Sequence, residues 1–95
     1  MARPSAIEID LSTVHSQQEL HAALADKLHF PTWYGANWDA FWDAITGLVE
    51  MPESLHLIGW VELCQRLPRD AMQLRSCLEE MTSEHPQLAA QVRYS

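Results

Sequence analysis

The stretch Phe30-Pro31-Thr32-Trp33-Tyr34-Gly35-Ala36-Asn37-Trp38-Asp39-Ala40-Phe41-Trp42-Asp43-Ala44-Ile45-Thr46-Gly47 carries most of what this chain discloses. Its first third is a loop rich in aromatics. Asn37 can cap a helix running to about Thr46, and Gly47 is a natural C-terminal stop. Asp39 and Asp43 are four apart on that helix, so their side chains are neighbours. Like charges at this spacing cost roughly 0.2–0.5 kcal/mol. Asp39 recovers part of it near the positive helix N-terminus, whereas Asp43 lies too deep to do so. A local cost without a local gain points to function. Phe41, Ile45 and Leu48 follow a core stripe that Trp38 can join, while Trp42 is expected to be half exposed. Exposed aromatics beside unpaired carboxylates have the make-up of a protein-binding hot spot. The pattern alone equally allows a core of aromatics under a solvated acidic face.

Outward from this segment the chain alternates strands and helices. Residues 1–5 read as a frayed end. Ile7, Ile9 and Leu11 alternate with Glu8 and Asp10, the period of a half-buried strand. Ser16 and Glu19 form a capping-box signature opening a helix with Leu20, Ala23, Leu24 and Leu28 on one stripe, stopped before Pro31. Leu55–Ile58 reads as a buried strand and Gly59 as punctuation. Trp60–Leu67 reads as a short helix ended by Pro68. Asp70 can cap a further helix with Ala71, Leu74, Leu78 and Met81 on its apolar face. Ala90–Tyr94 reads as an edge strand. The expectation is one α/β domain over residues 1–95, a short three-stranded parallel sheet with Leu55–Ile58 central, packed with about four helices.

Charge narrows the partner. Six Lys and Arg stand against thirteen Asp and Glu, a net −7. Binding phosphates needs cations, so direct nucleic-acid binding is not expected. A basic protein partner is, with electrostatics speeding the encounter. No Lys or Arg occurs between Lys27 and Arg66, and Asp39, Asp43, Glu50, Glu53 and Glu62 all lie in that gap. No apolar run reaches the roughly 18–20 residues of a membrane span. No basic segment followed by an apolar run opens the chain, so the expected location is cytoplasmic. Cys64 and Cys77 have no CxxC or Cys/His ligand spacing and are expected to be free, half-buried thiols. His15, His21, His29, His56 and His85 show no paired helical spacing. No metal or other cofactor is expected; surface or cap roles are expected for each histidine, and His21 fits a core position equally well. Two acids on one convex helix face, without a glycine-rich phosphate loop, argue against an enzyme and against a Mg²⁺ site.

The same residues resemble the signature of the barstar family. That signature has an aromatic–Tyr–Gly turn, an Asn, a helix carrying Asp-x-x-Trp-Asp, and a closing Thr-Gly. Here these are Trp33-Tyr34-Gly35, Asn37, Asp39-Ala40-Phe41-Trp42-Asp43 and Thr46-Gly47. A Leu20-His21 helix before the motif, and Val49-Glu50, Pro52 and a strand after it, keep the family layout. The likeness is motif-grade over residues 19–52 and architectural elsewhere. It implies an inhibitor, monomeric when free, of a basic, guanyl-specific, barnase-like microbial ribonuclease. It also implies that Asp43 replaces the substrate phosphate among catalytic His and Arg side chains, and that Asp39 pairs an arginine. Trp33 stands where the family usually has a tyrosine covering the catalytic histidine. Tyr34, Gly35, Asn37, Trp42, Thr46 and Gly47 match contact or turn positions. A further acid on the last helix matches Glu80, with Glu79 one step away.

The chain departs from the family pattern at Trp33 for tyrosine, Trp38 for leucine and Leu48 for an aromatic. Its tail from Glu84 to Ser95 is longer and more polar. The acidic helix would suit any basic nuclease site, so an immunity protein of the same fold, directed at a different toxin nuclease, is the alternative.

Overall fold

A computed structural model describes residues 3–95 of the chain. Three strands, β1 (Ala6–Asp10), β2 (Ser54–Ile58) and β3 (Gln91–Tyr94), form a sheet in the order β1-β2-β3. Both pairings are parallel, with β2 central. The register places Ile7, Leu55 and Val92 in one row and Ile9, Leu57 and Tyr94 in another. Ile9, Leu55 and Leu57 are buried, so this is the core face. The intervening row of Glu8, His56 and Arg93 lies on the opposite face, and its two outer residues are exposed. A parallel sheet is normally covered on both sides. Here the period-2 alternation shows one covered face and one wet one.

Four α-helices accompany the sheet: α1 (Gln17–Leu28), α2 (Trp38–Asp43), α3 (Trp60–Arg66) and α4 (Pro68–Glu84). Ser16 caps α1 by accepting from the Glu19 amide at 3.1 Å. The Glu19 carboxylate accepts in return from the His15 amide at 3.0 Å, one residue before the usual capping-box partner. Leu20, Leu24, Phe41, Ile45, Leu63, Leu74, Leu78 and Met81 fill the core. Gly59 turns the chain from β2 into α3 at φ +77°. A Cβ there would lie 2.6 Å from the Ser12 backbone nitrogen, so only glycine lets the two loops touch. Cys64 and Cys77 are free and half-buried. Among the described residues no helix is long and apolar enough to cross a membrane.

Three expectations need correction. Residues 3–5 are tied down rather than frayed, while Met1 and Ala2 lie outside the described residues. The Arg3 guanidinium donates to the carbonyls of Met51, Pro52, Gln87, Leu88 and Ala89 at 2.9–3.3 Å. The Pro4 and Ser5 carbonyls accept from the Glu53 and Ser54 amides. Pro68 does end α3, which stops at Arg66 with Leu67 non-helical before the proline, and it also opens α4 at its first turn, where the missing N–H costs nothing. Asp70 does not cap α4; the cap position is Leu67, which has no side-chain bond. Finally, the helix begun at Trp38 does not stop at Gly47. It widens into a π-turn over Ala44–Leu48, closed by the Val49 amide on the Ala44 carbonyl at 3.1 Å. The extra residue in that turn swings Leu48 outward to 45% exposure. Val49 packs on the core in its place.

Candidate functional site

The site begins at the end of α1. His29 caps it in the left-handed region at φ 61°. Buried Phe30 then anchors the loop against Tyr34 and Phe41, with ring centroids at 4.8 and 5.8 Å. The Tyr34 amide returns to the Pro31 carbonyl at 3.0 Å, closing a turn whose tip is Trp33. Trp33 is 71% exposed, a large apolar side chain held in water by a tight turn. Ala36 adopts φ 53°, a left-handed conformation costly for a residue with a Cβ. It aims the chain into α2. Asn37 caps that helix by accepting from the Ala40 amide at 2.7 Å, while its Nδ2 donates to the Gly35 carbonyl at 3.3 Å.

The buried side of α2 and the π-turn consists of Phe41, Ala44 and Ile45. Asp39 and Asp43 are exposed, and neither has a hydrogen bond or ion pair among the described residues. Trp42 is half-buried, with its ring 6.3 Å from that of His85. The Thr46 hydroxyl donates to the Trp42 carbonyl at 2.6 Å at the start of the π-turn. Gly47 is exposed within that turn, with open space around its Cα.

Between α2 and α4 lies a groove of about 280 Å³ lined by Trp38, Asp39, Trp42, Gln73, Cys77 and Glu80. Burial raises the Cys77 thiol pKa, and the Glu80 and Asp39 carboxylates raise it further. The field of both acids thus converges on one place. A hydrogen bond with Glu84 holds the Glu80 carboxyl above the usual range, with smaller contributions from burial and the Glu84 charge. Glu79 is engaged elsewhere, accepting from Arg75 at 3.2 Å. The two neighbouring acids of α4 therefore separate, and Glu80 is the one in the groove with Asp39.

Beneath the loop lies His21, 1% exposed. Its Nδ1 is 2.7 Å from the Tyr34 hydroxyl, which donates onward to the Asn37 carbonyl at 3.4 Å. The short contact takes up Nδ1, and Nε2 is buried without a partner. Trp38 covers the same imidazole at 4.4 Å. Burial lowers the His21 pKa, against a smaller opposing pull from Asp70, and burial pushes the Tyr34 hydroxyl up.

Trp33, Tyr34, Gly35, Asn37, Asp39, Trp42, Asp43, Thr46 and Gly47 all fall on this loop, α2 and the π-turn, and Glu80 faces them from α4. Tyr34, Asn37 and Thr46 differ from the rest in bonding their polar atoms within the protein, to His21, to the helix N-terminus and to the Trp42 carbonyl. Sequence reasoning missed Asp70, which accepts from the Trp38 indole Nε1 at 3.0 Å and from Gln17 Nε2 at 2.9 Å on the same oxygen. The unusual Trp38 was the one available hint, since a buried indole needs an acceptor.

Two comparisons bear on identity. A Bacillus subtilis (strain 168) protein named "Putative ribonuclease inhibitor YrdF" is 47% identical over 51 residues. The match spans 54% of this chain and 56% of that relative, about half of each. A family profile described as "Barstar (barnase inhibitor)" matches residues 5–94, from the start of β1 through β3. With a match of that extent, and a parallel three-stranded sheet with four helices presenting the acidic segment, the chain belongs to the barstar family.

Proposed function

We propose that this protein inhibits a guanyl-specific, barnase-like ribonuclease by laying the Trp33 turn and α2 across its active site. The observation that carries the reading is the state of Asp43. It is exposed and unpaired on a helix whose opposite side is core, within a span from 28 to 65 that holds no Lys or Arg. A ribonuclease site gathers cations around a phosphodiester. A carboxylate on a helix offers its oxygens to the same donors in charge-assisted, bidentate bonds. Holding it on folded backbone lowers the entropy lost on binding.

The remaining residues have supporting roles. Asp39, Glu80 and Trp42 flank one groove, which suits a guanidinium bonded by two carboxylates and stacked on an indole. Trp33 covers the catalytic imidazole from the turn tip. Gly35 and Gly47 allow close backbone approach, Asn37 and Tyr34 hold the turn, and Thr46 fixes the π-turn. The repulsion between Asp39 and Asp43 is relieved only among the partner's cations, so binding recovers what folding lost.

The test is inhibition of barnase by wild type and by Asp43→Ala, Asp39→Ala and Glu53→Ala, with thermal melts of each. Asp43→Ala should weaken inhibition most, by roughly a thousandfold, since it strands several cations in a desolvated site. Its melting temperature should be unchanged or slightly higher, because the like-charge pair is gone. Asp39→Ala should cost less, and exposed Glu53→Ala nothing. Equal inhibition by Asp43→Ala and wild type would overturn the phosphate-mimic reading. No inhibition of barnase, with inhibition of a toxin nuclease of another class, would assign the immunity role instead.

A further inference from the structure

The helix that carries the two acids is too short to orient itself. Isolated helices shorter than about 12–15 residues are marginal in water, and α2 has six residues and its π-turn five more. Its direction must come from tertiary contacts. Phe41 supplies depth and Asn37 fixes the start, but neither sets the angle to α4. Among the described residues, one hydrogen bond joins a side chain of α2 to another element: Trp38 Nε1–H to Asp70 Oδ1. That oxygen also holds Gln17 at the start of α1, so a single carboxylate gathers the N-terminal ends of α1, α2 and α4. Trp38 precedes Asp39 and lies one turn before Trp42. The bond therefore acts at the hinge end of the groove in which Asp39 faces Glu80.

We propose that Asp70 is a positioning residue for inhibition: through Trp38 it sets the angle of α2 on α4, and so the placement of Asp39 and Asp43 against Glu80. The part of this that concerns inhibition rests on the function proposed above. The orientation itself does not.

Two measurements separate these. Residual dipolar couplings of the Trp38–Asp43 amides, taken on the free protein, report the direction of α2 relative to α4 and the sheet. They should change in Asp70→Ala and in Trp38→Phe, which keeps a ring but loses the donor. In Asp70→Asn, which keeps an acceptor oxygen, they should match wild type. Dissociation from barnase should quicken about tenfold in the first two variants, as expected for a lost bond to a charged acceptor. It should be near wild type in Asp70→Asn. The Asp70→Ala and Trp38→Phe double variant should be no worse than the worse single one. Couplings for residues 38–43 that stay at wild-type values in all variants overturn the inference, whatever barnase does. So do altered couplings with unchanged dissociation, when Asp43→Ala in the same assay abolishes inhibition. If Asp70→Asn slows association as much as Asp70→Ala while dissociation stays fixed in both, the residue acts only by its charge, which also overturns it. Failure of wild type to bind barnase counts against the proposed function alone, leaving the couplings to decide this one.

Discussion

His21 shows how one side chain supports a surface it never reaches. Its Nδ1 holds the Tyr34 hydroxyl, Tyr34 holds the Asn37 carbonyl, and Asn37 caps α2. Protonating the imidazole would bury a charge whose Nε2 side has no acceptor, which is why burial lowers its pKa. The unfolded chain takes up this proton near its ordinary value of 6.5. The native state resists it, so below about pH 6.5 the unfolded state binds more protons and stability falls. One such group gives at most about 1.4 kcal/mol per pH unit. Stability should therefore be level above that pH as far as His21 is concerned, and decline below it. Urea midpoints from pH 8 to 5 check this, with His21→Gln showing a shallower slope. Equal slopes would mean that other carboxylates and histidines account for the acid sensitivity.

At the scale of elements, the joints matter more than the elements. The π-turn ends the acidic helix by widening it, which turns Leu48 to solvent and keeps Val49 on the core. The β2–α3 joint has the opposite character, with no slack. Gly59→Ala there adds a Cβ 2.6 Å from backbone at positive φ. Strain of this kind costs at least about 2 kcal/mol. The melting temperature should fall by about 10 °C in a domain of this size. Gly47→Ala, facing open space, should change it by little. A Gly59→Ala protein melting with wild type would show that the Ser12 loop yields.

For the whole molecule, the proposed inhibition makes net charge a matter of how fast the partner is met. The molecule's extents are 35 × 28 × 21 Å, and one face carries exposed Asp39 and Asp43 on α2, with Glu80 of α4 across the groove from Asp39. Near 0.1 M salt the Debye length is about 10 Å, so a partner feels this face over less than half the molecule's width. The association rate with a basic nuclease should fall about tenfold or more from low to high salt. The dissociation rate should change much less. Stopped-flow association across that range provides the check. A flat profile would mean that the net −7 has no part in partner capture.

Local signals in the sequence were enough for the strands, the Ser16 and Asn37 caps, the α4 stripe and the ordered motif from Trp33 to Gly47. Periodicity and caps act over a few residues, so they are written in neighbouring letters. The placement of Asp39 and Asp43 on one exposed helical side followed from spacing alone. What tertiary structure decided was everything closed over long separations. The Asp70 bonds to Gln17 and Trp38 span 53 and 32 residues. The Arg3 clasp reaches 48 to 86 residues along the chain. Pairing of this kind leaves no periodic trace, which is why residues 3–5 read as loose and Asp70 as a cap. The parting of Glu79 from Glu80 has the same origin. Adjacent residues on a helix differ by about 100° in direction, and only the packing of α4 on α2 determines which of them meets the groove.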